Sequence, residues 1–285
     1  MIRWLVVGTG AVGRAHAAAI RLTPGAGLAG CVSLEAPGQA PILFDIGTGL
    51  RFFGESLPAD APFDGLALVT HLHWDHVQGL PFFVPINQEG ARLEICGRSD
   101  EGSLHEAFDD FMRPPYFPVR YSDLAGDITF RDVASTELDF GRAHIVVRDV
   151  PHTGATNGYR VEIDGLVVAY VSDHQQPVGS DGIAEGVLEL CDGADLVIHD
   201  AQYEPHEFAM KSDWGHCTVE YAVRVAAEAG AKRLALFHHD PSHSDDIIDR
   251  LLVEAQGHAA GTSLVEVIAA AERTTVSLSP ATANA

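Results

Sequence analysis

Short apolar runs bounded by Gly, Pro, Asn and Asp recur along this chain, and their lengths predict strands. Residues 2–7 form the first such run and end at Gly8, after which a stretch of small residues continues to Gly30. Residues 31–36 and 41–46 flank the turn Pro37-Gly38-Gln39 and predict a hairpin; residues 49–57 have helical spacing, and residues 66–70 read as a buried strand. Further strands are expected over 92–96, 127–133, 144–150, 158–163 and 166–171. The last two are joined by Asp164-Gly165, a strong hairpin signal because such a turn needs residues that tolerate positive φ. After Asp181 the period changes, with helices over 182–191, 219–229 and 245–255 alternating with strands over 196–199 and 233–237. Asp245 and Asp246 stand where a helix dipole favours acids, and Gly230 and Gly257 where helices end. The pattern is that of an α/β protein built in layers, with 1–285 as one domain and only residues 280–285 resembling a loose tail.

Composition adds limits rather than elements. With 285 residues, 46% of them hydrophobic, the chain falls among soluble globular proteins, which excludes disorder and collagen-like structure. The formal charge of −22 repels phosphate backbones at long range, and the scattered arginines with Lys211 and Lys232 form no basic run. Nucleic acid is therefore expected to be an unlikely partner. No apolar stretch reaches the roughly 18 residues of a membrane span, and the start has no signal-peptide core, so no membrane association and a cytoplasmic location are expected. Cys31, Cys96, Cys191 and Cys217 are widely spaced and contain no CxxC pair, so reduced thiols are the default.

The chemistry concentrates in Thr70-His71-Leu72-His73-Trp74-Asp75-His76, directly after an apolar strand. His71 and His73, two apart in extended backbone, point to the same side and can bind one cation through neutral imidazole nitrogens. Asp75 and His76 can then face a second. Crowding three imidazoles and a carboxylate for structure alone carries a desolvation cost that a metal would offset. Two metals need more ligands than this loop offers, and three strand ends supply them: His152 after 144–150, Asp173 after 166–171, and His238 or His239 after 233–237.

These residues, in this order, resemble the metallo-β-lactamase superfamily, which implies a four-layer αββα sandwich with a dinuclear site between two sheets. The resemblance implies that His71, His73 and His152 hold one metal, that Asp75, His76 and His238 hold the other, and that Asp173 bridges them. Zinc is the first expectation, with manganese or iron also compatible with such a donor set. Asp45-Ile46-Gly47 resembles the turn whose aspartate supports the metal loop. The Gly158-Tyr159-Arg160 ending after His152, together with His199-Asp200-Ala201-Gln202 and Gly215-His216-Cys217-Thr218, resembles the phosphodiesterase branch, which includes cyclic phosphodiesterases and tRNA-maturing endonucleases. It implies that His216 protonates the leaving oxygen or binds a phosphoryl oxygen, oriented by Asp200, with Asp75 as the further catalytic carboxylate. Cys217 replaces the usual serine, and Thr218 also suits a helix cap.

A dinuclear hydrolase of a small cyclic or diester phosphate is the resulting expectation, with a lactonase or thioesterase of the same fold as the alternative and a homodimer as a possible assembly. Trp74, Tyr116, Phe117, Tyr203 and Trp214 are candidates to line a pocket for a flat group, about half of them serving as packing instead. His243, past a proline turn, is a candidate substrate or solvent contact, and His239 points away from His238 if the strand continues. One rival comes from another class. Gly8-Thr9-Gly10-Ala11-Val12-Gly13 follows a strand and has Glu35 at the end of the next one, as a nicotinamide-binding oxidoreductase would, although the hairpin that follows is unlike a βαβ unit.

Overall fold

The computed structural model describes residues 2–7, whose backbone alone is defined, and residues 31–58, 61–272 and 274–279. Among the described residues fourteen strands form two seven-stranded sheets. The first sheet has the order β14 (Thr274–Leu278), β1 (Ile2–Val7), β2 (Cys31–Glu35), β3 (Ile42–Phe44), β4 (Asp64–Leu68), β5 (Arg92–Gly97) and β6 (Asp127–Asp132). The second has the order β13 (Glu266–Ala269), β12 (Arg233–Phe237), β11 (Leu196–Asp200), β10 (Leu166–Val171), β9 (Asn157–Ile163), β8 (Ala143–Asp149) and β7 (Glu137–Phe140).

Alternation along the central strands explains the layering. Leu66 and Leu68 of β4, Val168 and Tyr170 of β10, and Leu196 and Ile198 of β11 meet in one cluster between the sheets. Their neighbours Ala67 and Val69, Ala169 and Val171, and Val197 face outward into two further clusters. Strands buried on both faces need helices on the outside. Leu50 and Phe53 of α1 (Leu50–Ser56), Val77 of the short α2 (Trp74–Val77) and Leu104 and Phe108 of α3 (Leu104–Phe111) cover the first sheet. On the second sheet the cover comes from α4 (Glu185–Cys191), α6 (Val219–Glu228) and α7 (Asp245–Ala259), while α5 (Pro205–Met210) lies in the β11–α6 connection. The result is the expected helix–sheet–sheet–helix sandwich.

Two parallel runs, β3 through β6 and β10 through β13, bring many strand ends to common edges. The chain just beyond β3, β4, β10 and β12 carries Asp45, His71 to His76, Asp173 and His238 respectively, and the last residue of β11 is Asp200, which is where open α/β sheets bind ligands. The predicted hairpins β2–β3 and β9–β10 are both present and antiparallel.

The glycine pattern at residues 8–13 lies outside the described residues. β1 itself pairs antiparallel with both β14 and β2, so the parallel β1–β2 pair that a dinucleotide fingerprint with Glu35 requires is absent. Missed in the sequence were β7, β13 and β14, all short, the short helices α2 and α5, and α3, whose signal was present as the capping box Ser103–Glu106. No helix among the described residues is long and apolar enough to cross a membrane.

Candidate metal centre

Asp45 lies under the metal loop. Its φ of 57° ends β3 and turns a fully buried carboxylate beneath the loop after β4. A buried carboxylate is tolerable only when donors surround it. Asp45 receives the Thr70 N–H at 2.8 Å, the Thr70 hydroxyl at 2.9 Å, the His76 Nδ1–H at 2.8 Å and the Tyr170 hydroxyl at 2.8 Å. Since Thr70 donates its proton to Asp45, its oxygen accepts from His71 Nδ1 at 3.0 Å. One carboxylate thereby fixes both His71 and His76 with Nδ1 protonated and Nε2 carrying the lone pair.

His152 is fixed in the same manner from the other sheet. Its Nδ1 donates to the Gly215 carbonyl at 2.7 Å, which leaves Nε2 to face the centre. His71 Nε2 then stands 2.8 Å from His73 Nδ1, and His152 Nε2 is 3.4 Å from that same atom. His71 Nε2 and His152 Nε2 are both acceptors because their ring protons are committed elsewhere, and with His73 Nδ1 they form a set of three nitrogens that a cation between them would satisfy. His71, His73 and His152 can thus hold a metal ion, as can Asp75, His76 and His238.

In the second set His76 Nε2 lies 3.4 Å from Asp75 Oδ2, and His238 Nε2 lies 3.3 Å from that oxygen. Asp173 sits between the sets, its oxygens 3.3 Å from His76, 3.7 Å from His238 and 3.8 Å from both His71 and His152. His76 Nε2 and Asp173 Oδ1 are buried without a hydrogen-bond partner, the condition expected of atoms shaped for a metal. All seven predicted ligands therefore converge on one site.

Protein charges set two regimes within it. Burial, reinforced by His76, holds the His71 imidazole well below its ordinary range, and burial does the same for His152. On the other side burial is overcome: Asp173 and Asp75 push His238 up to about 9, and Asp173, Asp45 and Asp75 raise His76 well above its usual value. Asp173 is held well below the carboxylate range against its burial by His238, His76 and His71. A divalent cation bound in that half would take the place of a proton on His76 and His238.

His216 Nδ1 donates to Asp200 Oδ2 at 2.8 Å, and its ring stacks on that of His238 at 5.0 Å and 14°. Asp200 also accepts the backbone N–H groups of His174 at 3.1 Å and Gln202 at 3.0 Å, so its carboxylate is held rigidly. Thr218 caps α6 through the Tyr221 N–H at 3.2 Å, so the cap and the His216–Asp200 pair coexist. Cys217 Sγ is buried and donates to the Asp200 carbonyl at 3.1 Å. Gly215, at φ 95°, serves both halves: its carbonyl anchors His152, and the next residue is His216.

Other expectations need amending. His243 contacts neither solvent nor the centre; it is buried with Nε2 3.0 Å from both oxygens of Glu207. His239 is buried and belongs to no group of residues that could hold a metal ion among the described residues. Of the candidate pocket aromatics, Tyr203 is buried, Phe117 is half-buried, and Trp74, Tyr116 and Trp214 are exposed. Tyr159 is a core residue whose hydroxyl donates to the Val69 carbonyl. Sequence spacing offered no sign of the Tyr170 and Gly215 contacts, because both join segments far apart in the chain.

A family model described as the beta-lactamase superfamily domain matches residues 41–239. The ribonuclease Z of Brevibacillus brevis is 38% identical over 271 residues, covering 79% of this chain and 84% of that protein. Among solved structures, the metallo-beta-lactamase fold protein YhfI of Bacillus subtilis aligns with a TM-score of 0.71 at 19% identity, over 97% of this chain and 100% of that one. The short form of human tRNase Z aligns with a TM-score of 0.68 at 22% identity, over 96% and 98%. The relatives named ribonuclease Z overturn the expectation that nucleic acid is an unlikely partner. Net charge is a long-range quantity screened within about 8 to 10 Å at ordinary salt, and it does not govern a site where cations are bound.

Proposed function

The chain belongs to the metallo-β-lactamase superfamily and is a metal-dependent hydrolase, and from that premise we propose that its centre hydrolyses phosphodiester bonds in RNA. His71, His73 and His152 hold one divalent cation and Asp75, His76 and His238 a second, with Asp173 between them; zinc suits this mixed donor set best. Bound there, the cations acidify water and neutralise charge on a phosphoryl oxygen.

The observation that carries the proposal is the Asp200–His216 pair beside this cluster. An RNA ester leaves as an alkoxide, a poor leaving group that needs a proton as the bond breaks. Asp200 holds the Nδ1–H of His216, which leaves Nε2 as the ring atom that gives the proton. Asp75, more exposed than Asp173, takes the proton of the attacking water. A thiolate leaving from a thioester would have no use for such an acid, which disfavours the thioesterase alternative.

The test uses protein loaded with zinc or manganese, given a precursor tRNA with a 3′ trailer and, separately, bis(p-nitrophenyl) phosphate. Both are expected to be cleaved, and His152→Ala to abolish both reactions. His216→Ala should slow trailer cleavage about 10²–10⁴-fold, while p-nitrophenolate, which leaves without a proton, loses far less. If loaded protein cleaves a lactone or thioester and leaves both phosphodiesters intact, the proposal fails.

A further inference from the structure

A cleft of about 540 Å³ lies against the metal loop. Leu72, Trp74 and Val77 form one wall, Phe108 and Phe111 of α3 the other, and Tyr116 closes the rim. The first wall is the metal loop itself: Leu72 lies between His71 and His73, and Trp74 between His73 and Asp75. The cleft therefore opens beside the loop that carries four of the proposed ligands.

The floor is apolar, yet the rim keeps two large rings in water. Trp74 is 75% exposed and Tyr116 76% exposed, so both π-faces are open to a flat occupant. Among the described residues neither ring has an aromatic neighbour, whereas Phe108 and Phe111 below are packed edge to face with centroids 6.3 Å apart. The charge of the lining narrows the occupant further. Its single charged residue is Asp110, whose carboxylate pairs with Arg113 at 2.7 Å, and no basic side chain lines the cleft. A phosphate would be repelled there, whereas a neutral planar group is suited to an apolar floor with aromatic edges.

We infer that this cleft binds the base of a nucleotide adjoining the scissile phosphate, with Trp74 and Tyr116 as stacking surfaces. The inference rests on the phosphodiesterase proposal and adds a specificity site to it. Stacking on a π-face does not read base identity, so the site favours the presence of a base over any particular sequence. Trp74 and Tyr116 set KM here and take no part in bond cleavage.

The experiment couples a base deletion to a side-chain deletion, using the precursor tRNA above with an abasic ribose placed on either side of the cleaved bond. For the metal-loaded wild-type protein, removing one of these two bases is expected to raise KM about tenfold, the usual worth of a stacked base. In Trp74→Ala the intact RNA should already show the raised KM, and the same abasic substitution should add less than twofold. Trp74→Phe should restore most of the wild-type difference. An abasic penalty equal in wild type and Trp74→Ala overturns the inference while leaving the phosphodiesterase proposal standing. Failure of the loaded wild-type protein to cut the RNA at all removes both.

Discussion

The loop at residues 71–76 and the strand end at residues 238–243 each crowd histidines near the centre, but they hold them by different means. In the loop, the ring nitrogens facing away from the centre are tied to buried acceptors: Asp45 holds His76 directly and His71 through Thr70. At the strand end, three histidines within six residues have three fates. His238, at φ 54°, is turned into the centre and lies between the rings of His76 at 5.4 Å and His216 at 5.0 Å, with Nδ1 buried and without a partner. His239 continues to the other side, where burial pushes it down to about 4. His243 pairs with Glu207. Proximity to a strand end thus does not make a histidine a ligand; the decisive features are the backbone angle and what holds the ring.

The largest effect is expected where one carboxylate serves most of the loop. Asp45→Ala leaves the buried donors of Thr70, Tyr170 and His76 unpaired, each costing about 1 to 3 kcal/mol. A denaturant titration of the metal-free variant should show several kcal/mol of lost stability, and elemental analysis should find its metal content greatly reduced. His243→Ala breaks a buried pair too, yet its metal content should match the wild type. Equal metal loss in the two variants would erase the distinction between loop and strand end.

A smaller effect is expected at Gly215, where the two halves of the site are joined. A Cβ there would stand 2.1 Å from His152 Nδ1, and the φ of 95° suits glycine alone. Gly215→Ala should therefore displace both the carbonyl that orients His152 and the neighbouring His216. Removing an orienting partner of a metal ligand typically costs about 10- to 100-fold in affinity, which a competition titration with a chelator would measure. Affinity unchanged from wild type would mean that His152, like His238, is held without its hydrogen bond.

The difference between the two regions also explains what was legible in the sequence. His71, His73, Asp75 and His76 were legible because four candidates fall within six residues, so spacing alone brings them together. His152, Asp173 and His238 were legible only as polar residues following apolar strands, and it took the family's order of motifs to choose His238 over His239. The partners that orient these rings were not legible. Tyr170 reaches Asp45 across 125 positions of sequence, and Gly215 reaches His152 across 63. Such contacts arise from two sheets packing face to face, and the sequence pattern of either strand says only that it is buried. The expectation that nucleic acid is an unlikely partner erred for a different reason: it took the sum of charges over the whole chain as a guide to a site whose chemistry is local.

Cys217 gives the smallest expected effect and tests whether the stacked half of the site needs its own fixed partner. Its thiol is buried, donates to the Asp200 carbonyl at 3.1 Å and is pushed well above the ordinary thiol range by that burial, then by the Asp200 charge. The side chain therefore acts as a neutral donor steadying the residue that holds His216, and it offers neither a nucleophile nor a thiolate ligand. Serine supplies the same donor, so Cys217→Ser should keep kcat on the RNA within about twofold, because a single neutral hydrogen bond is worth about 0.5 to 1.5 kcal/mol and is here exchanged rather than lost. Cys217→Ala forfeits that bond and should lose stability by about this amount with little change in KM. All four cysteines are buried, with Cys96 and Cys191 pushed up to about 12 by burial. A thiol reagent at pH 8 should accordingly label no cysteine in the native protein and all four after denaturation. Rapid native labelling assigned to Cys217 by mass spectrometry would show an open, ionisable thiol beside His216, and the segment before α6 would then contain a reactive group rather than a support.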